Sequence, residues 1–408
     1  MTAFDYGIIG GGPAGFSAAI YAAKLGKTVV LFEKDKIGGT CLNRGCIPTK
    51  TFLHQADLYN EFKASVKKEL FRASELGVSF DKIADEKTRV CDSLRKSLEL
   101  VLKTMKIQVI NAEATIADNK IIANGEEYSC GKIIVATGAK PKEIKGLEFD
   151  EKFILSSDDI LNLKECPKKI IILGSGAIGI EWTRILSAFD CEVTLVEAAP
   201  NLLPLADIEV SKRIERIFKK SGVKFYTQTS VASADKSTKT VTLSNGEVLE
   251  TEFLFVAAGR VPACVNSDAE CIGDCSGEIQ LAHYATAQAK NIVLGIPYNK
   301  ELIPSVVYGE PEIAWVGKRE QDGDFKKINL PISALGKAQC DGATEGFIKL
   351  LLDGDKIIGA HIVSKEASAL IQQLVIAMQN NITVDKLKEV CWAHPTYSEG
   401  IFEGLMRL

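Results

Sequence analysis

The chain has no apolar run near the ~18 residues that a membrane span needs, and no block of basic residues. Its 49 Lys and Arg are outnumbered by 53 Asp and Glu, for a net charge of -4, which sets nucleic acid aside as the main partner. Histidine is scarce, with four in 408 residues. No close cysteine pair is followed by the second ligand pair of a zinc knuckle, so no metal is expected. The eleven cysteines are odd in number and scattered, unlike the disulfide framework of a small secreted protein. A glycine motif begins by residue 10 and leaves no room for a secretory leader. The expected compartment is therefore the cytoplasm, with no membrane partner. The length suits two or three domains, and a hydrophobic content of 46% suits a globular enzyme.

What is present is repeated. DYGIIGGGPAGFSAAIYAAKLGKTVVLFEK and KIIILGSGAIGIEWTRILSAFDCEVTLVEA each read strand, glycine turn, helix, strand, acid. In both, 23 positions separate the first glycine from the acid: Gly10 to Glu33, and Gly174 to Glu197. One such motif is weak, but two in full strand–helix context point to two dinucleotide sites. Gly10 and Gly174 permit the tight turn, Gly12 and Gly176 let backbone approach a pyrophosphate, and Gly15 and Gly179 let helix pack on strand. The helix N-termini offer free N–H groups to the phosphates. Glu33 and Glu197 can each accept a hydrogen bond from a ribose 2′-hydroxyl. No arginine follows Glu197 to bind a 2′-phosphate, which favours NAD over NADP at the second site.

Between the copies, Val90, Leu94, Leu98 and Val101 recur at helical spacing and predict an amphipathic scaffold helix. After residue 300, GFIKLLLDGDKIIGAHIV predicts two strands joined by a Gly-Asp turn, with helices around 366–380 and 384–390. The fold class is α/β: two Rossmann-like domains followed by an α+β domain.

The stretch GGTCLNRGCIPTK holds Cys41 and Cys46 with four residues between them. In a regular helix their axial separation would be about 7.5 Å, while bridged cysteines keep their Cα atoms within about 7 Å. The pair can close only where the helix breaks, and Gly45 and Pro48 both offer a break. Cys271 and Cys275 form the other close pair and read as small buried thiols, as do Cys91, Cys130, Cys166, Cys191, Cys264, Cys340 and Cys391. At the far end, WAHPTYSE supplies His394, with Glu399 five residues on to orient it. Thiol–disulfide exchange needs a thiolate and hence a base. His54, His283 and His361 have weaker claims to that role.

On these residues the chain resembles the class I pyridine nucleotide-disulfide oxidoreductases. The resemblance also covers Ala136-Thr137-Gly138, Gly259-Arg260, Ile272-Gly273-Asp274, Leu281-Ala282-His283 and PSVVYGEPEIAWVG. It implies FAD at the first glycine motif, with Thr40, Lys50, Gly138, Asp274 and Ala282 also lining it, and NAD at the second, with Val231, Gly259 and Arg260. It implies that Cys41 exchanges with a substrate dithiol, that Cys46 faces the flavin, and that Lys50 pairs with Glu181 beside it. His394 and Glu399 would act from the partner subunit of a homodimer. It also implies domains at 1–145 (FAD), 146–259 (NAD), 260–297 (FAD, shortened) and 298–408 (interface).

Within the family, CLNRGC and Glu197 lean toward the lipoamide branch. The implied partner is the lipoyl domain of a 2-oxo acid dehydrogenase complex or a glycine-cleavage H protein. Another disulfide or metal-ion reductase of the family, or a non-catalytic redox-sensing flavoprotein, stay open as alternatives. Three features depart from the pattern. VPACVNSDAECI is much shorter than the same segment of relatives, which includes a strand that returns the chain to the FAD domain. The stretch from Gly317 to Lys337 is short as well. Trp392 stands where a histidine is common.

Overall fold

Val29–Glu33 and the C-terminal halves of Ala3–Ile9 and Glu126–Val135 are buried runs of Ile, Val, Leu and Phe. Such runs suit parallel strands covered on both faces. In the computed structural model, which describes residues 3–75, 77–265 and 268–407, these strands pair in parallel, with Gln108–Asn111 beyond Val29–Glu33. Lys120–Ala123 and Ala114–Ala117 extend the far side as antiparallel strands. Helix α1 (Pro13–Lys24) starts with Pro at its first position, where the missing N–H costs nothing. Its buried face is Ala14, Gly15, Ser17, Ala18, Ala19 and Ala22, small enough for close contact with the sheet.

Helices α2 (Gly39–Arg44), α3 (Cys46–Lys67) and α4 (Phe80–Thr104) follow. The helix expected around Val90 to Val101 is α4, with one difference. Leu98 packs on the core, while Leu94 and Val101 are exposed.

The second copy repeats the plan. Lys169–Leu173 leads into α5 (Ala177–Ala188) and then Glu192–Val196. The sheet runs Lys224–Tyr226, Glu192–Val196, Lys169–Leu173, Phe253–Val256, Ile154–Leu155, all parallel. Helix α6 (Ile208–Ser221) buries Val210, Ile214 and Phe218 at four-residue spacing.

The crossover back to the first sheet is short. Arg260–Pro262 pairs with Ala139–Pro141, and a two-residue strand, Glu270–Cys271, lies parallel to Ile134 and Val135. The returning strand is thus trimmed rather than lost; Asn266 and Ser267 of this segment lie outside the described residues. The expectation of buried thiols fails in part, because Cys264, Cys340 and Cys391 are exposed.

The last part is a five-stranded antiparallel sheet, in the order Ser305–Val307, Glu312–Gly317, Lys356–Ser364, Phe347–Asp353, Lys326–Pro331. The predicted hairpin is its centre, and the two predicted helices are Ala367–Gln379 and Val384–Lys388. Among the described residues no helix is long and apolar enough to cross a membrane.

A buried charge cluster ties this sheet to the second. The Lys349 ammonium, fully buried, donates to Asp207 Oδ1 at 2.7 Å and to Glu320, with Glu209 Oε2 3.5 Å away. Asp207 also caps α6 through Glu209 N at 2.9 Å and accepts from Glu320 N at 2.8 Å. Burial alone would push Lys349 down; its bonds to Asp207 and Glu320 outweigh that and raise it. Burial likewise opposes ionisation of Asp207, but Lys349 and the backbone donors hold its carboxyl below the usual range. Lys349→Met should therefore lower stability by about 3–5 kcal/mol, because it strands a buried carboxylate. The denaturant midpoint reads this. Asp207's contribution is present above the ordinary carboxylate pKa and is lost as pH falls through its lowered value, so the difference between parent and variant should shrink in acid.

Candidate active site

The helix break falls at Gly45, not at Pro48. Gly45 adopts φ -141 and ψ -108 between α2 and α3, and a Cβ there would meet the Thr40 carbonyl oxygen at 3.0 Å. Pro48 lies in the first turn of α3, where its missing N–H is harmless. The break brings the Cys41 and Cys46 thiols into hydrogen-bond contact, and both are free thiols. The two differ in acidity. The bond from Cys41, helped by the Lys50 cation and opposed by burial and Glu181, pulls Cys46 down to about 7. Donating that bond, together with burial, pushes Cys41 strongly up. The direction of both shifts makes Cys46 the more acidic thiol of the pair.

Lys50 stands one turn beyond Cys46 on α3. Its Nζ donates to both oxygens of Glu181 at 2.8 and 2.7 Å. Glu181, on α5, is 3% exposed and also accepts from Tyr308 N at 3.1 Å. The Tyr308 ring lies 4.6 Å from Lys50 Nζ, a cation–π contact. Arg184, one turn after Glu181, donates to the Tyr308 carbonyl at 2.8 Å. Sequence reasoning did not single out Tyr308 or Arg184. Tyr308 stood inside the quoted PSVVYGEPEIAWVG stretch, but only the fold shows that its backbone reaches Glu181.

Both glycine motifs build open cradles. Gly12 and Gly176 sit at the N-caps of α1 and α5, and no side chain caps either helix. A Cβ at Gly176 would meet nothing within 4 Å, and at Gly12 only Gly39 Cα at 3.8 Å. At the third glycines, Gly15 and Gly179, a Cβ would strike the carbonyl of Gly10 or Gly174 at 1.8 or 1.9 Å. Glu33 accepts from Gly11 N at 2.7 Å and Asp35 N at 2.9 Å. Glu197 accepts from Ser175 N and Ala199 N, both at 2.8 Å. Each carboxylate is thus fixed by backbone and keeps lone pairs for ribose hydroxyls. A cavity of about 620 Å³ opens beside Glu33, Ile37 and Leu102.

Asp274 lies in the 3-10 turn Gly273–Ser276, and among the described residues no donor satisfies its carboxylate. Burial raises its pKa, with Arg260 opposing. An unsatisfied, half-buried carboxylate suits ligand hydroxyls. Gly138 (φ 75) turns the chain after the first sheet, Ala282 opens the helix Ala282–Leu294, and Thr40 lies on α2. These residues fit FAD at the first motif and NAD at the second. Gly259 (φ 102) follows Ala257 and Ala258, which pack on Gly174. Val231 heads the strand Val231–Asp235, just past Thr229, whose N–H bonds the Glu197 carbonyl at 3.0 Å.

Arg260 donates to Ala139 O at 2.6 Å and Ser157 Oγ at 3.1 Å, and its charge faces Asp158 and Asp274.

The second catalytic candidate is built but remote. His394 Nδ1 and Glu399 Oε1 are 2.7 Å apart, and Thr396 N donates to Glu399 Oε2 at 2.8 Å. The His394 side chain is 75% exposed. Among the described contacts none joins this pair to Cys41 or Cys46 within the chain. Trp392 donates to Leu387 O at 3.3 Å and packs on the C-terminal core. His283 and His361 are occupied elsewhere, on the carbonyls of Pro304 and Lys318, both at 2.8 Å.

Comparison with known proteins agrees with this arrangement. Residues 4–292 match the pyridine nucleotide-disulphide oxidoreductase family, and residues 303–404 match that family's dimerisation domain. The chain is similar to a dihydrolipoyl dehydrogenase of Bacillus subtilis, 33% identical over 99% of this chain and 98% of that one. The LpdA structure from Mycobacterium tuberculosis superposes with a TM-score of 0.91 at 25% identity, covering 100% of this chain and 99% of that one. The flavoprotein disulfide reductase RclA of Escherichia coli gives 0.88 at 25% identity and covers 100% of both chains. This chain belongs to the pyridine nucleotide-disulphide oxidoreductases, flavoprotein oxidoreductases that work with FAD and NAD.

Proposed function

We propose that the protein is a cytoplasmic dihydrolipoyl dehydrogenase, working as a homodimer on the lipoyl group of a partner protein and reducing NAD. The observation that carries this reading is geometric: the break at Gly45 sets Cys41 and Cys46 on adjoining helices, and the Lys50–Glu181 ion pair stands one turn beyond Cys46. The similarity to dihydrolipoyl dehydrogenases and the acid at residue 197 favour lipoamide and NAD over other pairs.

In the oxidised enzyme, Cys41 and Cys46 are joined. A substrate thiolate attacks Cys41 Sγ, and Cys46 leaves as a thiolate stabilised by Lys50. The partner subunit's His394, held by Glu399, takes the proton of the second substrate thiol. That thiol displaces Cys41, closing the substrate disulfide and leaving two electrons on the Cys41–Cys46 pair. FAD and NAD, when bound, supply the hydride chemistry that carries those electrons onward. Lys50 and Glu181 keep a fixed cation near Cys46, while Glu33 and Glu197 select riboses without a 2′-phosphate.

Anaerobic addition of one equivalent of NADH should expose two alkylatable thiols, at Cys41 and Cys46, and raise a long-wavelength absorbance band. Cys46→Ser should abolish the band; an unchanged spectrum in that variant would remove the dithiol from the reaction. Steady-state rates with NADH and oxidised lipoamide should exceed those with oxidised glutathione or mercuric ion. The reverse order would favour a reductase of small disulfides or metal ions instead.

In the reduced protein, the alkylation rate of Cys46 should titrate near pH 7. Lys50→Met should move that midpoint up by about a unit or more, since a nearby cation is lost. His394→Gln should lower kcat/KM for dihydrolipoamide by about 10²–10⁴, while NADH oxidation by ferricyanide, which needs no thiol base, should hold.

A further inference from the structure

The crossover between the two sheets carries a second pair of thiols. Cys264 lies two residues beyond the strand Arg260–Pro262, and Cys271 ends the strand Glu270–Cys271. Their sulfurs are 2.8 Å apart. A disulfide bond is about 2.05 Å long, so closure needs less than about an ångström of movement.

The approach is held on one side by the turn Ala136-Thr137-Gly138 and on the other by Val135, the end of the strand before it. On one side, Ala263 N donates to Gly138 O at 2.9 Å, and Thr137 Oγ1 donates to Ala263 O at 2.5 Å. On the other, Cys271 is in register with Val135, and Ile272 N donates to Val135 O at 2.9 Å. The two sulfurs are therefore opposed by anchored backbone. Cys264 is exposed and open to solvent reagents, while Cys275 is buried and bonds to the carbonyls of Val135 and Ile272 at 3.4 and 3.1 Å.

We propose that Cys264 and Cys271 form a second, regulatory disulfide, separate from Cys41–Cys46, made by exchange with a low-molecular-weight disulfide, and that closing it tightens the hold on FAD. The Cys264 thiolate attacks one sulfur of the small disulfide and releases one thiol. Cys271 then attacks the mixed disulfide at Cys264 Sγ and releases the second. One small disulfide becomes two thiols as two cysteine thiols become one disulfide. Cys264 acts first because burial and the neighbouring sulfurs push Cys271 up to about 12.

The effect on FAD follows from position. Asp274 is three residues past Cys271, and Gly138 lies in the turn that the two sulfurs bracket. A bond there ties the segment after Arg260–Pro262 to the strand Glu270–Cys271 beside that turn and limits their separation. The inference goes beyond the proposed reaction, since neither cysteine lies on the route through Cys41, and it survives if the substrate is not lipoamide.

The test uses the full-length FAD-loaded protein, reduced, desalted and treated with oxidised glutathione. After alkylation, a protease that cuts after glutamate separates fragment 253–270 from fragment 271–278, because Glu252, Glu270 and Glu278 flank them. The expected product is these two fragments joined and lighter by two hydrogens, and absent from Cys271→Ser. Full alkylation of both cysteines, a stable glutathione adduct at Cys264, or a link that persists through Cys275 in Cys271→Ser would each overturn the site. The second readout is FAD release in guanidinium, measured in a Cys41→Ser background so that the first dithiol is not a variable. Release should be roughly tenfold slower after oxidation than after reduction, and Cys264→Ser should remove that difference. Equal rates in the two redox states would overturn the link to FAD.

Discussion

The Lys50–Glu181 ion pair joins the parts of the molecule that the chemistry needs together. Lys50 comes from α3 of the first half, Glu181 from α5 of the second, and Tyr308 from the last sheet closes over both. A carboxylate that is 3% exposed is costly unless paired. Glu181 is paired by both hydrogen bonds of one ammonium and by a backbone N–H. The same two helices also meet through Phe52 and Trp182, whose rings are 5.6 Å apart. Apolar packing thus fixes how α3 meets α5, and the ion pair fixes where the charge sits. Lys50 lies four residues from Cys46, on the same helix face, so locking Lys50 also sets the field at Cys46.

The two cysteines are not equivalent: the hydrogen bond between them is the first cause, and the Lys50 cation, which acts on both, adds to it at Cys46. The break at Gly45 is what allows this, since it ends one helix and starts the next between the two sulfurs. Proline had seemed an equal cause from sequence alone. The backbone angles assign the break to glycine, and Pro48 falls where a helix accepts it. Two breakers three residues apart cannot be ranked without knowing which residue starts the new helix.

The parts legible from sequence are those written in local backbone chemistry. A glycine turn, a helix start and an acid at a strand end are set by nearby residues, so both dinucleotide motifs stood out; the backbone N–H groups that grip Glu33 and Glu197 did not. The parts that were missed depend on distant chain. Lys349 reads as an ordinary strand residue; only the approach of α6 and Glu320 makes it the buried centre of a charge cluster. Arg260 follows the second motif in sequence, but the partners of its guanidinium, Ala139 O and Ser157 Oγ, come from chain far upstream. The two-residue strand Glu270–Cys271 is too short to carry an alternating pattern, and it is defined only by Ile134 and Val135 beside it.

The position of His394 carries the remaining argument. Its Nδ1 is committed to Glu399, so its reactive nitrogen is Nε2, on a side chain that is 75% exposed. A base of that kind does nothing for a thiol on its own chain unless the chain folds back to it, and no described contact does so. Its surroundings are rigid: Trp392 packs on the C-terminal core, and Tyr397, fully buried, bonds Asp341 at 3.2 Å. A fixed base that faces outward calls for an acid supplied from outside the chain. The segment that presents it matches the family's dimerisation domain. On the proposed reaction, a two-fold pairing would deliver each His394 to the other subunit's Cys41, so that one interface completes two sites. The exposure of His394 in the single chain is then the mark of a site that is only half built without its second copy.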